Sequence, residues 1–247
     1  MSDERPVSTL AAPGRHRPVP EIDTDPPYTY PDYLATRRRA PQMSLLPGPG
    51  GLAELGGPVF GRDRVAPGDA DLTAQHEGTP LGQRIIVAGR VLDSDGRPVR
   101  GGLVEVWQAN SAGRYRHPGD DHPAPLDPNF SGFGRALTDG DGNYRFTTVR
   151  PGAYPWRNHA NAWRPAHIHF SLFGIELRQR LVTQMYFEND PLFFQDPIFN
   201  SVPADARQLL ICRLDIENTI PDVALAYRFD IVLRGARQTP FEDEDAD

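Results

Sequence analysis

Gly134-Arg135-Ala136-Leu137-Thr138-Asp139-Gly140-Asp141-Gly142-Asn143-Tyr144-Arg145-Phe146-Thr147-Thr148-Val149 reads as two short strand-like runs around a turn. Gly134 to Leu137 and Tyr144 to Val149 flank a centre of Thr, Asp, Gly and Asn. Such residues accept the tight backbone of a reversal, so the stretch predicts a β-hairpin. Asp139-Gly140-Asp141-Gly142 also suggests a calcium loop. It lacks the twelve-residue ligand pattern and the closing bidentate Glu of such loops, and the hairpin is the reading adopted.

Working outward, the same texture repeats. Arg84 to Leu92 is strand-like, Asp93 to Pro98 is a turn, and Gly102 to Ala109 alternates again. Further strands are expected at Ala166 to Phe173, Leu181 to Phe187 and Ala224 to Leu233. Short strands separated by turn signals predict an all-β sandwich with long loops and little helix. One helix is expected at Pro203 to Arg213, where Ala206, Leu209, Leu210 and Arg213 follow helical spacing. No internal repeat is present. Residues 1–80 are rich in Pro, Gly and charge and read as an irregular, partly ordered arm, with a short helix near Pro31 to Arg39. Tyr28, Tyr30, Tyr33 and Phe60 give that arm aromatics that a disordered tail usually lacks. Residues 81–238 form the sandwich domain, and residues 239–247 an acidic tail.

The chain has 26 basic and 33 acidic residues, a net charge of -7, which argues against a nucleic-acid partner. Every basic side chain is Arg, which we read as the codon bias of a GC-rich genome. The one cysteine, Cys212, excludes an intrachain disulfide framework and suits a reducing cytoplasm. It lies in the apolar run Leu209 to Cys212 and reads as a buried structural thiol. The N-terminus has no apolar signal region, and no apolar run approaches the ~18 residues of a membrane span. A cytoplasmic protein without membrane contact is expected.

The chemistry concentrates in Trp163-Arg164-Pro165-Ala166-His167-Ile168-His169-Phe170. On a strand, residues i and i+2 share a face, so His167 and His169 project together as half of a metal site. Several partners could complete it. A cupin pattern needs a later histidine and a nearer Glu than Glu176, and no histidine follows His169. A three-histidine zinc site would recruit His117, His122 or His159. A facial triad for Fe(II) would take Glu105 or Asp139. Tyr115 and Tyr154 are the remaining option. A phenol titrates near ~10, so ligation as phenolate needs a strong Lewis acid. Two phenolates, a hydroxide and two neutral imidazoles balance Fe(III).

Six segments together resemble the intradiol ring-cleaving dioxygenases. They are Val106 to Asn110, Gly113-Arg114-Tyr115-Arg116-His117, Leu126 to Phe130, Tyr154-Pro155-Trp156-Arg157-Asn158, Trp163 to His169, and Ala226 to Gly235. The likeness spans about residues 80–238, with a weaker match around Pro31-Asp32-Tyr33. It is nearest to the iron-bearing beta subunit of the two-subunit members. Catechol and hydroxyquinol dioxygenases differ in carrying a helical region at the N-terminus. The resemblance implies a non-haem Fe(III) held by Tyr115, Tyr154, His167 and His169, with solvent in a fifth position. It implies cleavage of 3,4-dihydroxybenzoate by O2 to 3-carboxy-cis,cis-muconate, in aromatic catabolism by the beta-ketoadipate pathway. Tyr154 would leave the metal and act as a base as substrate binds. Arg164 would stabilise anionic charge on the ring oxygens, and Gln184 would hold Arg164. Trp156 and Ile198 would wall the substrate pocket, and Tyr33, with Arg39, would reach the substrate carboxylate or its entrance. The resemblance also implies an alpha subunit of the same fold in a hetero-oligomer. The alternatives are an intradiol enzyme for another catechol and a metal-free transthyretin-like binding module.

Overall fold

A computed structural model describes residues 24–41, 43, 65–173, 181–233 and 237–240. Phe60, the first 23 residues and the acidic stretch from Glu242 to Asp247 lie outside the described residues. Eleven strands dominate what is described. They are β1 (Arg84–Leu92), β2 (Leu103–Trp107), β3 (Phe133–Leu137), β4 (Asn143–Val149), β5 (Tyr154–Trp156), β6 (Ala162–Arg164), β7 (His167–Phe173), β8 (Leu181–Phe187), β9 (Ile211–Ile220), β10 (Ala224–Arg228) and β11 (Ile231–Val232). Two short α-helices accompany them, α1 (Thr36–Arg39) and α2 (Pro197–Ser201). No helix among the described residues is long and apolar enough to cross a membrane.

Nine strands form one sheet. From one end it runs β4, β1, β10, β9, β8, β7, β2, β3, with β11 continuing along β1 beyond β10. β3 and β4 follow each other in the chain yet lie at opposite ends of this order, so the sheet curls nearly closed around one core. This corrects the expected hairpin. The turn itself is present, with Asp139 N–H donating to Asn143 O at 3.0 Å. The flanking strands diverge instead of pairing: Leu137 sits opposite Leu103 and Asn143 opposite Arg90. Gly142, at φ 77°, gives its carbonyl to Val91 N–H and lays β4 onto β1. The result is a corner between layers.

The alternation of β7 decides what faces the core. Ile168, Phe170 and Leu172 enter it, beside Val104 and Val106 of β2, Met185 and Phe187 of β8, and Phe146 of β4. His167 and His169 therefore point to the opposite side. β8 is buried along its whole length. On its far face Tyr186 packs in a second apolar cluster with Phe199, Val202, Ala206 and Leu210.

The helix expected at Pro203 to Arg213 is a 3-10 turn over Arg207–Leu210, after which the chain becomes β9. Ala206 and Leu210 are buried as their spacing suggested. Ile211 and Cys212, however, pair in parallel with Tyr186 and Phe187, and that edge takes the chain out of helix. The helix near Pro31 to Arg39 is a single turn, begun by Thr36, whose hydroxyl donates to Tyr33 O at 2.6 Å. Of the arm's aromatics, Tyr33 is buried and Tyr28 is exposed. The arm is tied to the sandwich at several points, two of which bear on the site and the core. Leu72 lies in the core and donates N–H to Thr147 O at 2.8 Å. Asn158 accepts from Leu34 N–H at 2.9 Å and donates to Asp32 O at 2.7 Å.

Candidate metal centre and its surroundings

Three backbone registers assemble the site. Across β7 and β8, His167 lies opposite Tyr186 and His169 opposite Gln184. Across β2 and β7, Trp107 lies opposite His169 and stacks on it at 4.8 Å between ring centroids and 6° between planes. The two-stranded ribbon β5–β6 sets Tyr154 opposite Arg164. By its Gly and Pro neighbours alone, in Pro151-Gly152-Ala153-Tyr154-Pro155, Tyr154 reads as part of a stiffened loop. It lies on a strand because the three-residue runs pair with each other, and Pro155, which has no N–H to donate, fits such an edge ribbon.

Tyr115 reaches the same place from the loop after β2. Asn110 Oδ1 accepts from Ala112 N–H at 2.9 Å and Arg114 N–H at 3.0 Å, closing a tight turn. Asp120 accepts from Tyr115 N–H at 2.7 Å and fixes the turn's exit. Gly113 occupies φ 77°, and a Cβ there would stand 2.1 Å from Ala153 O. The backbone at 113 must therefore be bare for this loop to lie against the start of β5. That approach places Tyr115 edge-on to Tyr154, with ring centroids 5.3 Å apart at 89°.

Four rings converge here. Tyr154 and His167 are 5.4 Å apart between centroids, His167 and His169 4.8 Å, and Tyr115 and His169 6.5 Å. His167 Nδ1 is 2.7 Å from Pro165 O, so Nδ1 carries the proton and Nε2 presents a lone pair. Burial holds the His167 imidazole well below its ordinary value, helped by the Arg164 charge and by His169. It is neutral at physiological pH, as a metal ligand must be. Tyr154 Oη lies 3.2 Å from that Nε2. Burial pushes the Tyr154 phenol above its ordinary value, against the pull of Arg164 and of a hydrogen bond with Tyr115. Without a cation this phenol keeps its proton, and a strong Lewis acid would reverse that preference.

Arg164 is buried beneath the rings. Its Nη1 stands 3.0 Å from His167 Nε2 and 3.5 Å from Tyr154 Oη. Its Nη2 donates to Gln184 Oε1 at 2.5 Å, Tyr186 Oη at 2.9 Å and Asp196 Oδ2 at 3.0 Å. The Trp156 ring lies 5.6 Å from the guanidinium carbon and 5.5 Å from the Tyr33 ring. Ile198 is half-buried on α2. The Arg39 side chain lies outside what is described. Sequence reasoning missed Tyr186 and Asp196. Asp196-Pro197 carries a helix-start signature, but nothing in it points to Arg164.

Four of the five rival ligands are engaged elsewhere. Glu105 pairs with Arg135 at 3.0 Å, Asp139 closes the β3–β4 corner, His117 Nδ1 accepts from Gly119 N–H, and His122 packs edge-on to Trp163. Among the described residues no three His, Cys, Asp or Glu side chains cluster as metal ligands. Two phenols and two imidazoles are the donor set that converges. It fits a hard trivalent cation in charge.

A protein-family model described as Dioxygenase matches residues 55–235. The chain is 56% identical over 219 residues to a protocatechuate 3,4-dioxygenase beta chain of Burkholderia cepacia, covering 88% of this chain and 93% of the relative. It is 30% identical to the protocatechuate 3,4-dioxygenase alpha chain of the same organism, over 66% of this chain and 78% of that one. A solved chlorocatechol 1,2-dioxygenase from Pseudomonas putida superposes with a TM-score of 0.51 at 26% identity, over 75% of this chain and 69% of that one.

Proposed function

The chain belongs to the intradiol dioxygenase family, and from that premise we propose that it cleaves protocatechuate with O2 to 3-carboxy-cis,cis-muconate at a non-haem Fe(III) held by Tyr115, Tyr154, His167 and His169. The observation that carries this reading is the convergence of two phenols and two imidazoles, two of which, Tyr154 and His167, meet one buried arginine. The 56% identity to a protocatechuate 3,4-dioxygenase beta chain supports the substrate.

When bound, Fe(III) supplies the Lewis acidity that holds a catechol as its dianion and makes the ring electron-rich enough to meet O2. The protein residues do the rest. The Tyr154 phenol, pushed up by burial, is a poor phenolate once separated from a cation. It is therefore suited to take a catechol proton at Oη. Arg164 Nη1 stands 3.0 Å from His167 Nε2. One lone pair cannot serve a cation and a guanidinium together, so ligation by His167 would leave Nη1 to face an anionic ring oxygen. A preorganised cation in a buried pocket is worth most where charge develops. Gln184 holds Nη2. In this reading Trp156 and Ile198 wall the pocket, and Tyr33, which packs on Trp156, meets the substrate carboxylate.

The chain pairs with an alpha subunit of the same family in a hetero-oligomer, a reading supported by its relation to both chain types. We place it in the cytoplasm, as its single buried thiol suggests.

A visible spectrum before and after anaerobic addition of protocatechuate tests the centre, because tyrosinate bound to Fe(III) absorbs strongly in the visible. We expect a coloured protein whose band shifts with substrate, and O2 uptake when air is admitted. A protein that stays colourless after ferric loading would overturn the metal centre. Turnover of catechol with protocatechuate untouched would overturn the substrate.

A further inference from the structure

Asp196 is fully buried, at 0% exposure, and its two oxygens do different things. Oδ1 accepts from Ile198 N–H at 3.0 Å and caps the start of α2, with Pro197 in the first turn. Oδ2 accepts from Arg164 Nη2 at 3.0 Å and from Tyr186 Oη at 3.1 Å. The carboxylate is itself held in place. α2 is anchored by Phe199, which stacks on Phe193 at 4.4 Å and meets the Tyr186 ring at 5.1 Å.

The guanidinium needs such an anchor. A buried charge without a counter-charge is costly, and Gln184 and Tyr186, which also accept from Nη2, are neutral. Nη2 spent on this group of three acceptors leaves Nη1 directed at Tyr154 Oη and His167 Nε2. The same carboxylate fixes the amide of Ile198, so the pocket wall and the cation share one reference point.

We propose that Asp196 is a positioning residue for Arg164, acting through the guanidinium and tying its direction to the start of α2. This rests on the catalytic reading of Arg164 given above. The rival role is capping alone, and chemistry separates the two. Asn and Ser are about as good as Asp at a helix N-cap. Asp196→Asn keeps a capping oxygen but turns a donor toward Nη2. Asp196→Ser keeps a capping oxygen and withdraws from Nη2. If capping were the whole role, both would behave like the wild type.

The experiment uses the iron-loaded alpha–beta enzyme with protocatechuate. Asp196→Asn and Asp196→Ser should keep the tyrosinate–iron band and lose kcat by roughly 10- to 100-fold, the scale of disturbing a group that supports the active centre. KM should move less than kcat. In an Arg164→Gln background, Asp196→Asn should change kcat by less than about 3-fold, because the group it acts through is gone. That double variant removes both charges of the buried pair and supplies the comparison even where Asp196→Asn alone folds poorly. Wild-type kcat in the two Asp196 variants, or losses that multiply in the double variant, would overturn the proposal while leaving the reading of Arg164 intact. Wild-type kcat in Arg164→Gln alone would overturn that reading, and this proposal with it.

Discussion

Gly113→Ala should cost stability and undo the apposition of the two tyrosines. Gly113 sits at φ 77°, and an added Cβ would stand 2.1 Å from Ala153 O, 3.0 Å from Ala153 C and 3.3 Å from Tyr154 Cβ. Two terms follow. Left-handed backbone costs a non-glycine residue about 1–2 kcal/mol. The contact is with backbone, which cannot swing aside, so overpacking adds about 1–3 kcal/mol. The sum, about 2–5 kcal/mol, is a sizeable part of the ~5–15 kcal/mol that holds a typical domain folded. With a urea slope of about 2–3 kcal/mol per molar, the midpoint should fall by roughly 1–2 M. Relief comes by pushing the Tyr115 loop off β5, so iron retained per chain and the visible band should fall with the midpoint. Gly140→Ala is the control, because nothing stands within 4 Å of its Cβ, and its midpoint should be unchanged or slightly higher. A Gly113→Ala protein with the wild-type midpoint and a full band would refute the argument that the bare backbone at 113 brings Tyr115 to Tyr154.

Three further outcomes are expected. Burial, with Glu188 nearby, pushes the Cys212 thiol up to about 12, so at pH 8 roughly one thiol in 10⁴ is thiolate; iodoacetamide should label the unfolded chain quickly and the folded one hardly at all, and fast labelling of the folded protein would contradict this. Tyr154→Phe should lose much of the visible band and slow substrate binding, and an unchanged spectrum would remove Tyr154 from the ligand set. Asp139 is held below its ordinary value of 3.8 by Asn143 and the turn amides, so its contribution to stability is present above that value and fades as pH falls through the lowered one; Asp139→Asn should flatten the acid limb of a stability-against-pH curve, and an identical limb would refute it.

Strands whose partners merely complete a pattern already present in their own residues were legible. Arg84–Leu92 and Leu181–Phe187 were read at the bounds they occupy, because an apolar β-rich run between turn residues has few other uses. β9 was not legible. Ala206, Leu209 and Leu210 mimic a helical stripe, and the residues that follow are largely exposed, so no local pattern marks a strand. Its identity comes from the edges offered by Tyr186–Phe187 and by Ala226–Arg228, which lie elsewhere in the chain. The β3–β4 corner is illegible for the same reason: Asp139 to Asn143 specify a reversal, whereas the flanking strands pair with β1 and β2, which lie elsewhere in the chain.

The site divides along the same line. His167 and His169 were legible as a pair, since a period of two is a property of one strand. Tyr115 and Tyr154 were not legible as their partners without the family resemblance, because the crossing at Gly113 and Ala153 that joins them is a contact between distant segments. Asp196 is the extreme case. Its side chain does a local task, capping α2, which the Asp-Pro pair announces. It also meets a guanidinium 32 residues upstream, which only the register of β7 on β8 and the packing of Phe199 on Tyr186 bring within reach. A residue with two duties shows only the local one in its sequence. The distant duty has to be sought where a buried charge finds its partner.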